Sequence, residues 1–80
     1  MTDEEITERI GRLVQEEHRL HGARIGQGLS VADAERLSAV ETQLDQCWDL
    51  LRQRRALRES GQDPDAAQVR DERTVEGYLQ

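Results

Sequence analysis

Apolar residues recur along the first part of the chain at spacings of three, four and seven. Ile6, Ile10, Leu13, Val14 and Leu20 fall on one stripe of a helical wheel, which predicts an amphipathic helix over about residues 3–21. Its start carries a capping-box sequence, Thr2-x-x-Glu5, in which hydroxyl and carboxylate satisfy the first backbone N–H groups reciprocally. Asp3, Glu4, Glu5 and Glu8 suit the positive end of the helix dipole. Gly11 weakens the middle of this helix by up to about 1 kcal/mol relative to Ala, which a close approach of a neighbouring backbone would explain. Gly22, Gly26 and Gly28 then break the pattern, so residues 22–30 read as the turn, with Gly22 as the natural C-cap. The order of these glycines matches neither the dinucleotide fingerprint nor the Walker pattern.

A second helix is predicted over about residues 31–59, opened by Ser30-x-x-Asp33. Leu37, Leu44 and Leu51 stand a heptad apart with Val40 and Cys47 between them, as in a coiled-coil seam. At Cys47-Trp48-x-Leu50-Leu51 the apolar face widens beyond what one partner helix covers. Pairing outwards from a turn at 22–30, the first helix would run out opposite about residue 49 and leave Leu50, Leu51 and Leu57 uncovered. Beyond Gly61, Pro64 predicts a short helical turn over Asp65 to Val69, and Val75, Tyr78 and Leu79 predict a tail that docks. The expected architecture is all-α: an antiparallel two-helix hairpin over 1–60 with an ordered C-terminal tail over 61–80, dimerising into a helical bundle.

Composition narrows the function classes. With 80 residues, of which 35% are hydrophobic and 35% charged, the chain is one small domain with a marginal core, for which oligomerisation is a usual remedy. No apolar run approaches the ~20 residues of a membrane span, and the acidic start is the opposite of a signal peptide, so a cytoplasmic protein away from membranes is expected. One cysteine excludes an internal disulfide. The net charge of −6 argues against nucleic acid as a partner, because binding it needs a basic footprint. All 11 basic residues are arginine, which forks onto carboxylates in a bidentate way. The absence of Lys removes Schiff-base and lysine general-base chemistry, and with the absence of Phe and Asn it suggests a GC-rich genome.

Four segments together resemble a known family. Val14-Gln15-Glu16-Glu17-His18-Arg19-Leu20, the run from Leu44 through Cys47-Trp48-Asp49-Leu50-Leu51 to Ala56, Gly61-Gln62-Asp63-Pro64 and Val75-Glu76-Gly77-Tyr78-Leu79 are similar to a family of short actinobacterial proteins of unknown function. The resemblance covers nearly the whole chain. It implies a small freestanding bacterial protein and no particular activity, and it transfers no catalytic residue.

His18 and His21, beside Glu16 and Glu17, are the metal-like cluster of the sequence. A di-iron Glu-x-x-His motif would need acids where Gln15 and His18 stand, so both histidines are expected simply to line the end of the first helix. No metal or cofactor is expected. Cys47, inside the leucine seam, reads as a small buried hydrophobe, and Trp48 as a core or interface anchor. Arg52, Arg54, Arg55 and Arg58 are expected to face the acidic start of the first helix, with RNA binding a minor reading. Glu41, Asp45 and Asp49 form an acidic row expected to be solvated. The leading functional reading is a non-enzymatic protein-interaction module, a small adaptor or regulator, present as a homodimer and acting on a larger protein. Its expected surface is Trp48, Leu50, Leu51, Arg52, Arg55, Tyr78 and Leu79. The alternative is a metal- or ligand-binding helical bundle using His18 and His21.

Overall fold

The computed structural model describes residues 1–71, with the backbone alone for residues 23–27. Two antiparallel helices, α1 (Asp3–Gln27) and α2 (Val31–Glu59), are followed by a 3-10 turn at Pro64–Ala66, and the described residues contain no strand. The fold is therefore an all-α helical hairpin.

Both helix starts follow from local chemistry. The Thr2 N–H donates to Glu5 Oε1 at 3.0 Å and the Glu5 N–H donates to Thr2 Oγ1 at 3.2 Å, which is a complete capping box. Ser30 Oγ accepts from the Asp33 N–H at 3.1 Å. α2 stops in a Schellman motif: Gln62 N–H reaches the Leu57 carbonyl at 2.8 Å and Gly61 N–H reaches the Arg58 carbonyl at 3.1 Å. Gly61 supplies the required left-handed backbone, with φ of 76°.

The boundary between the helices differs from the expectation. α1 does not end near residue 21 but continues through Gln27, so the turn is Gly28–Ser30 rather than 22–30. Gly22 is not the C-cap; Gly28, with φ of 76°, is the residue that turns the chain. A mid-helix glycine costs about 1 kcal/mol, which tertiary packing overrides, whereas a left-handed residue terminates the helix outright.

The longer α1 changes what is covered. Ile6, Ile10, Leu13 and Leu20 pack against Leu37, Val40, Leu44, Cys47 and Leu50, with Ile6 and Val40 wholly enclosed. Leu50, expected to project past α1, is in this core. Leu51 is half-buried and packs against its rim. The buried line on α2 runs through 40, 44, 47, 50 and 54, the drift of a straight helix relative to a strict heptad. It therefore takes Leu50 in place of Leu51, which stays at the edge, while Arg54, one heptad beyond Cys47, keeps its place in the seam.

Beyond α2 the chain turns back. Asp63 Oδ1 accepts from the Asp65 N–H at 2.9 Å and opens the 3-10 turn, with Pro64 at its first position. The following residues run along α2 and are read by its side-chain amides. Gln53 donates to the Gln68 carbonyl at 2.7 Å and accepts from the Gln68 N–H at 3.3 Å, while Gln46 donates to the Arg70 carbonyl at 3.2 Å. Asp49, expected to be solvated, is only 1% exposed, because this segment lies over it and Arg70 meets its carboxylate at 3.2 Å. Val75, Tyr78 and Leu79, on which the docked tail was argued, lie outside the described residues.

Gly11 has no close backbone neighbour: a Cβ built there meets nothing within 4 Å, and the same holds at Gly22. Gly11→Ala and Gly22→Ala should each raise stability by about 0.5–1 kcal/mol in urea denaturation of the full chain. Gly28→Ala should lower it by a similar amount, roughly 1 kcal/mol, because an L side chain is strained at positive φ.

Candidate functional site

The hairpin has two long edges with different chemistry. Residues 67–70 line one of them, where Val69 shares a cavity of about 70 Å³ with Ile6, Arg9, Gln46, Cys47 and Leu50. That volume is far below the roughly 300–1,000 Å³ of small-molecule sites. Cys47 is buried there, and burial pushes its thiol above the ordinary value against the weaker pull of Arg9. This is the apolar setting of a packing group, whereas a reactive thiolate is found in a cationic and partly open one.

The other edge brings Glu17 and His21 of α1 against Glu41 of α2. One ligand atom from each of the three lies within 4.8 Å of the others. Seven residues make nearly two helical turns, so Trp48 and Arg55 follow Glu41 along the same side of α2. By the same register Val14 precedes His21 on α1. Trp48 is 49% exposed, next to the half-buried Leu51. This edge therefore carries a carboxylate–imidazole group near the turn, an exposed indole at mid-length and a cation beyond it.

The sequence-predicted residues are distributed unevenly. Trp48 and Leu51 lie on the open edge, Leu50 is in the core, and Tyr78 and Leu79 lie outside the described residues. Arg52 is half-buried, and Arg55 is exposed and pairs with Glu59 at 3.0 Å. His18 is exposed and outside the Glu17–His21–Glu41 group. Glu16 is engaged elsewhere, held by both Arg36 Nε and Nη2 at 2.6 Å. Of the two histidines considered together in the alternative reading, His21 lies beside an acid from each helix and His18 does not. Glu41 was hidden in the acidic row; its position one heptad before Trp48 was the available signal.

Of the arginine cluster expected to face the acidic start of α1, Arg54 and Arg58 do so, at the far end of the hairpin. Arg54, whose side chain is 8% exposed, donates to Asp3, to Asp65 at 2.9 Å and to the Pro64 carbonyl at 3.2 Å. Arg58 meets Asp3 at 2.7 Å. The Arg54 and Arg58 guanidiniums hold the Asp3 carboxyl below the usual carboxylate range.

With the geometry in place, comparison with known sequences assigns the class. The chain belongs to the family described as protein of unknown function (DUF2630), whose model matches residues 2–80. Uncharacterized proteins of Mycobacterium tuberculosis and Mycobacterium bovis are each 49% identical to it over 78 residues, covering 96% of this chain and 90% of theirs. These relatives agree with the resemblance to short actinobacterial proteins of unknown function. No solved structure matches the chain.

Acid should weaken the fold through a small set of carboxylates. Asp3 is lowered by Arg54 and Arg58, Glu5 by the Thr2 N–H and hydroxyl, and Glu16 by Arg36. Groups with depressed folded-state values stabilise the fold above their ordinary values, 3.8 for Asp and 4.5 for Glu, and lose that contribution as pH falls through the folded values. The melting temperature should therefore fall between about pH 5 and about pH 2, and Asp3→Asn should flatten part of that limb. Calorimetry across that range is the check.

Proposed function

We propose that this protein is a non-enzymatic interaction module that pairs with a second copy of itself through the Trp48 edge. The observation that carries the reading is the half-exposed indole, in a hairpin that buries Leu37, Val40, Leu44, Cys47 and Leu50 of the same helix. Tryptophan is enriched at the centres of interfaces, where a large apolar ring with one polar handle gains most from desolvation. Charge supports a second copy as the occupant. Glu41 and Arg55 stand seven residues to either side of Trp48. An antiparallel two-fold pairing across Trp48 therefore sets Glu41 of each copy against Arg55 of the other, with Leu51 flanking the indole.

An adaptor or regulator role towards a larger protein would use the paired bundle as its scaffold. A cytoplasmic location suits a chain with a single, buried free thiol, and no helix among the described residues is long and apolar enough to cross a membrane.

Light scattering on the full chain at tens of micromolar in chelator-treated buffer should give a dimer mass. Trp48→Glu should give a monomer that keeps its helix content. Glu41→Arg should weaken the dimer about tenfold or more, and adding Arg55→Glu should restore it. A monomeric wild type with water-exposed Trp48 emission, or a dimer untouched by Trp48→Glu, would overturn the reading.

A further inference from the structure

We propose that Glu17, His21 and Glu41 form a binding site for a divalent first-row metal ion of the zinc type, completed by water. Glu17 and His21 lie one turn apart on α1 and Glu41 comes from α2, with the three ligand atoms within 4.8 Å of one another. Zinc holds nitrogen and oxygen ligands at about 2.0–2.2 Å, so its ligand atoms stand roughly 3.3–3.5 Å apart. Each glutamate carries its carboxylate on three rotatable bonds, the freedom by which a bound metal would draw the ligands together.

Asp3, Glu16, Asp49 and Asp65, carboxylates that join one element of the fold to another, each meet an arginine. Among the described residues no arginine pairs with Glu17 or Glu41, although the helix pairing brings these two like charges together. Two carboxylates and a neutral imidazole carry two negative charges, which one divalent cation cancels. The imidazole sets the selectivity: calcium and magnesium favour all-oxygen shells, whereas imidazole suits zinc, iron, nickel and copper. Three protein ligands leave a position open, and Glu41 also lines an open depression beside the turn, with Gly28, Leu29 and Ser38, from which water enters.

The site needs only one chain, so it stands apart from self-association. The two are compatible, since Glu41 has one carboxylate oxygen for a metal and another for an arginine of a second copy. Because the ligands converge only in the folded hairpin, binding also stabilises the fold.

The test is calorimetric titration of the tag-free, chelator-stripped full chain with zinc, then cobalt, with magnesium as the control. One zinc per chain should bind in the micromolar range, raise the melting temperature and leave magnesium without effect. Cobalt should give visible absorption bands of an ordered ligand field. His21→Gln and Glu41→Gln, each checked for helix content, should weaken zinc binding at least about tenfold, whereas His18→Gln should not. Trp48→Glu should bind zinc like the wild type, which separates this site from the paired interface. Absence of zinc binding, an equal loss in His18→Gln, or folded His21→Gln and Glu41→Gln proteins that bind normally would each overturn the proposal.

Discussion

The guanidinium of Arg54 ties together three parts of the chain that have little else in common. It occupies the helix seam one heptad beyond Cys47, where a coiled coil would place an apolar residue, and its side chain is nearly enclosed. Removing a charge from water is costly unless its donors are satisfied. Asp3 from the start of α1, Asp65 from the 3-10 turn and the Pro64 carbonyl satisfy them. Arginine presents five donors in a rigid fork, so one residue can hold two acids and a carbonyl at once; a lysine point charge would not define their geometry. A buried ion pair is weak evidence for net stability, and fixing register is its best-attested use. With Asp3 fixed against Arg54 and Arg58, α1 spans α2 almost to its end, which in turn leaves only Gly28–Ser30 for the turn.

That constraint explains where sequence reasoning succeeded and where it failed. The capping residues Thr2, Glu5 and Ser30, the apolar stripe of α1 and the seam from Leu37 to Cys47 are local signals, and each acts as its pattern implies. The end of α1 is not local. Gly22 looks like a stop, yet helix continues through it and through Gly26, because tertiary packing overrides a cost of about 1 kcal/mol per glycine, and Leu50 is covered as a result. Asp49, Gln46 and Gln53 were illegible for a different reason. Their partners are Arg70 and the backbone of an irregular segment, which no periodicity announces. Arg54 and Glu41 were legible in principle, since heptad counting from Cys47 and from Trp48 reaches them.

A chain this poor in apolar residues encloses its core by unequal means. Along one edge, Gln46 and Gln53 hold an extended segment much as a neighbouring strand would, and Asp49 is sealed beneath it. The other edge keeps Trp48 half in water and gathers Glu17, His21 and Glu41 near the turn. The closed edge is concerned with stability, and its small cavity around Cys47 offers a ligand little room. The open edge is where recognition has both apolar surface and charge to work with, and for that reason both functional proposals rest on it.

The most direct test of the account is native-state hydrogen exchange of the wild type against Arg54→Gln. If Arg54 sets the register, two distant groups should lose protection together. They are the Ile6 N–H, which bonds the Thr2 carbonyl at the start of α1, and the N–H groups of Ala67 and Gln68 beyond the 3-10 turn. The central turns of α2 around Val40 and Leu44 should keep theirs. Unchanged exchange at both ends, or loss at one end alone, would contradict the claim that this one side chain couples them.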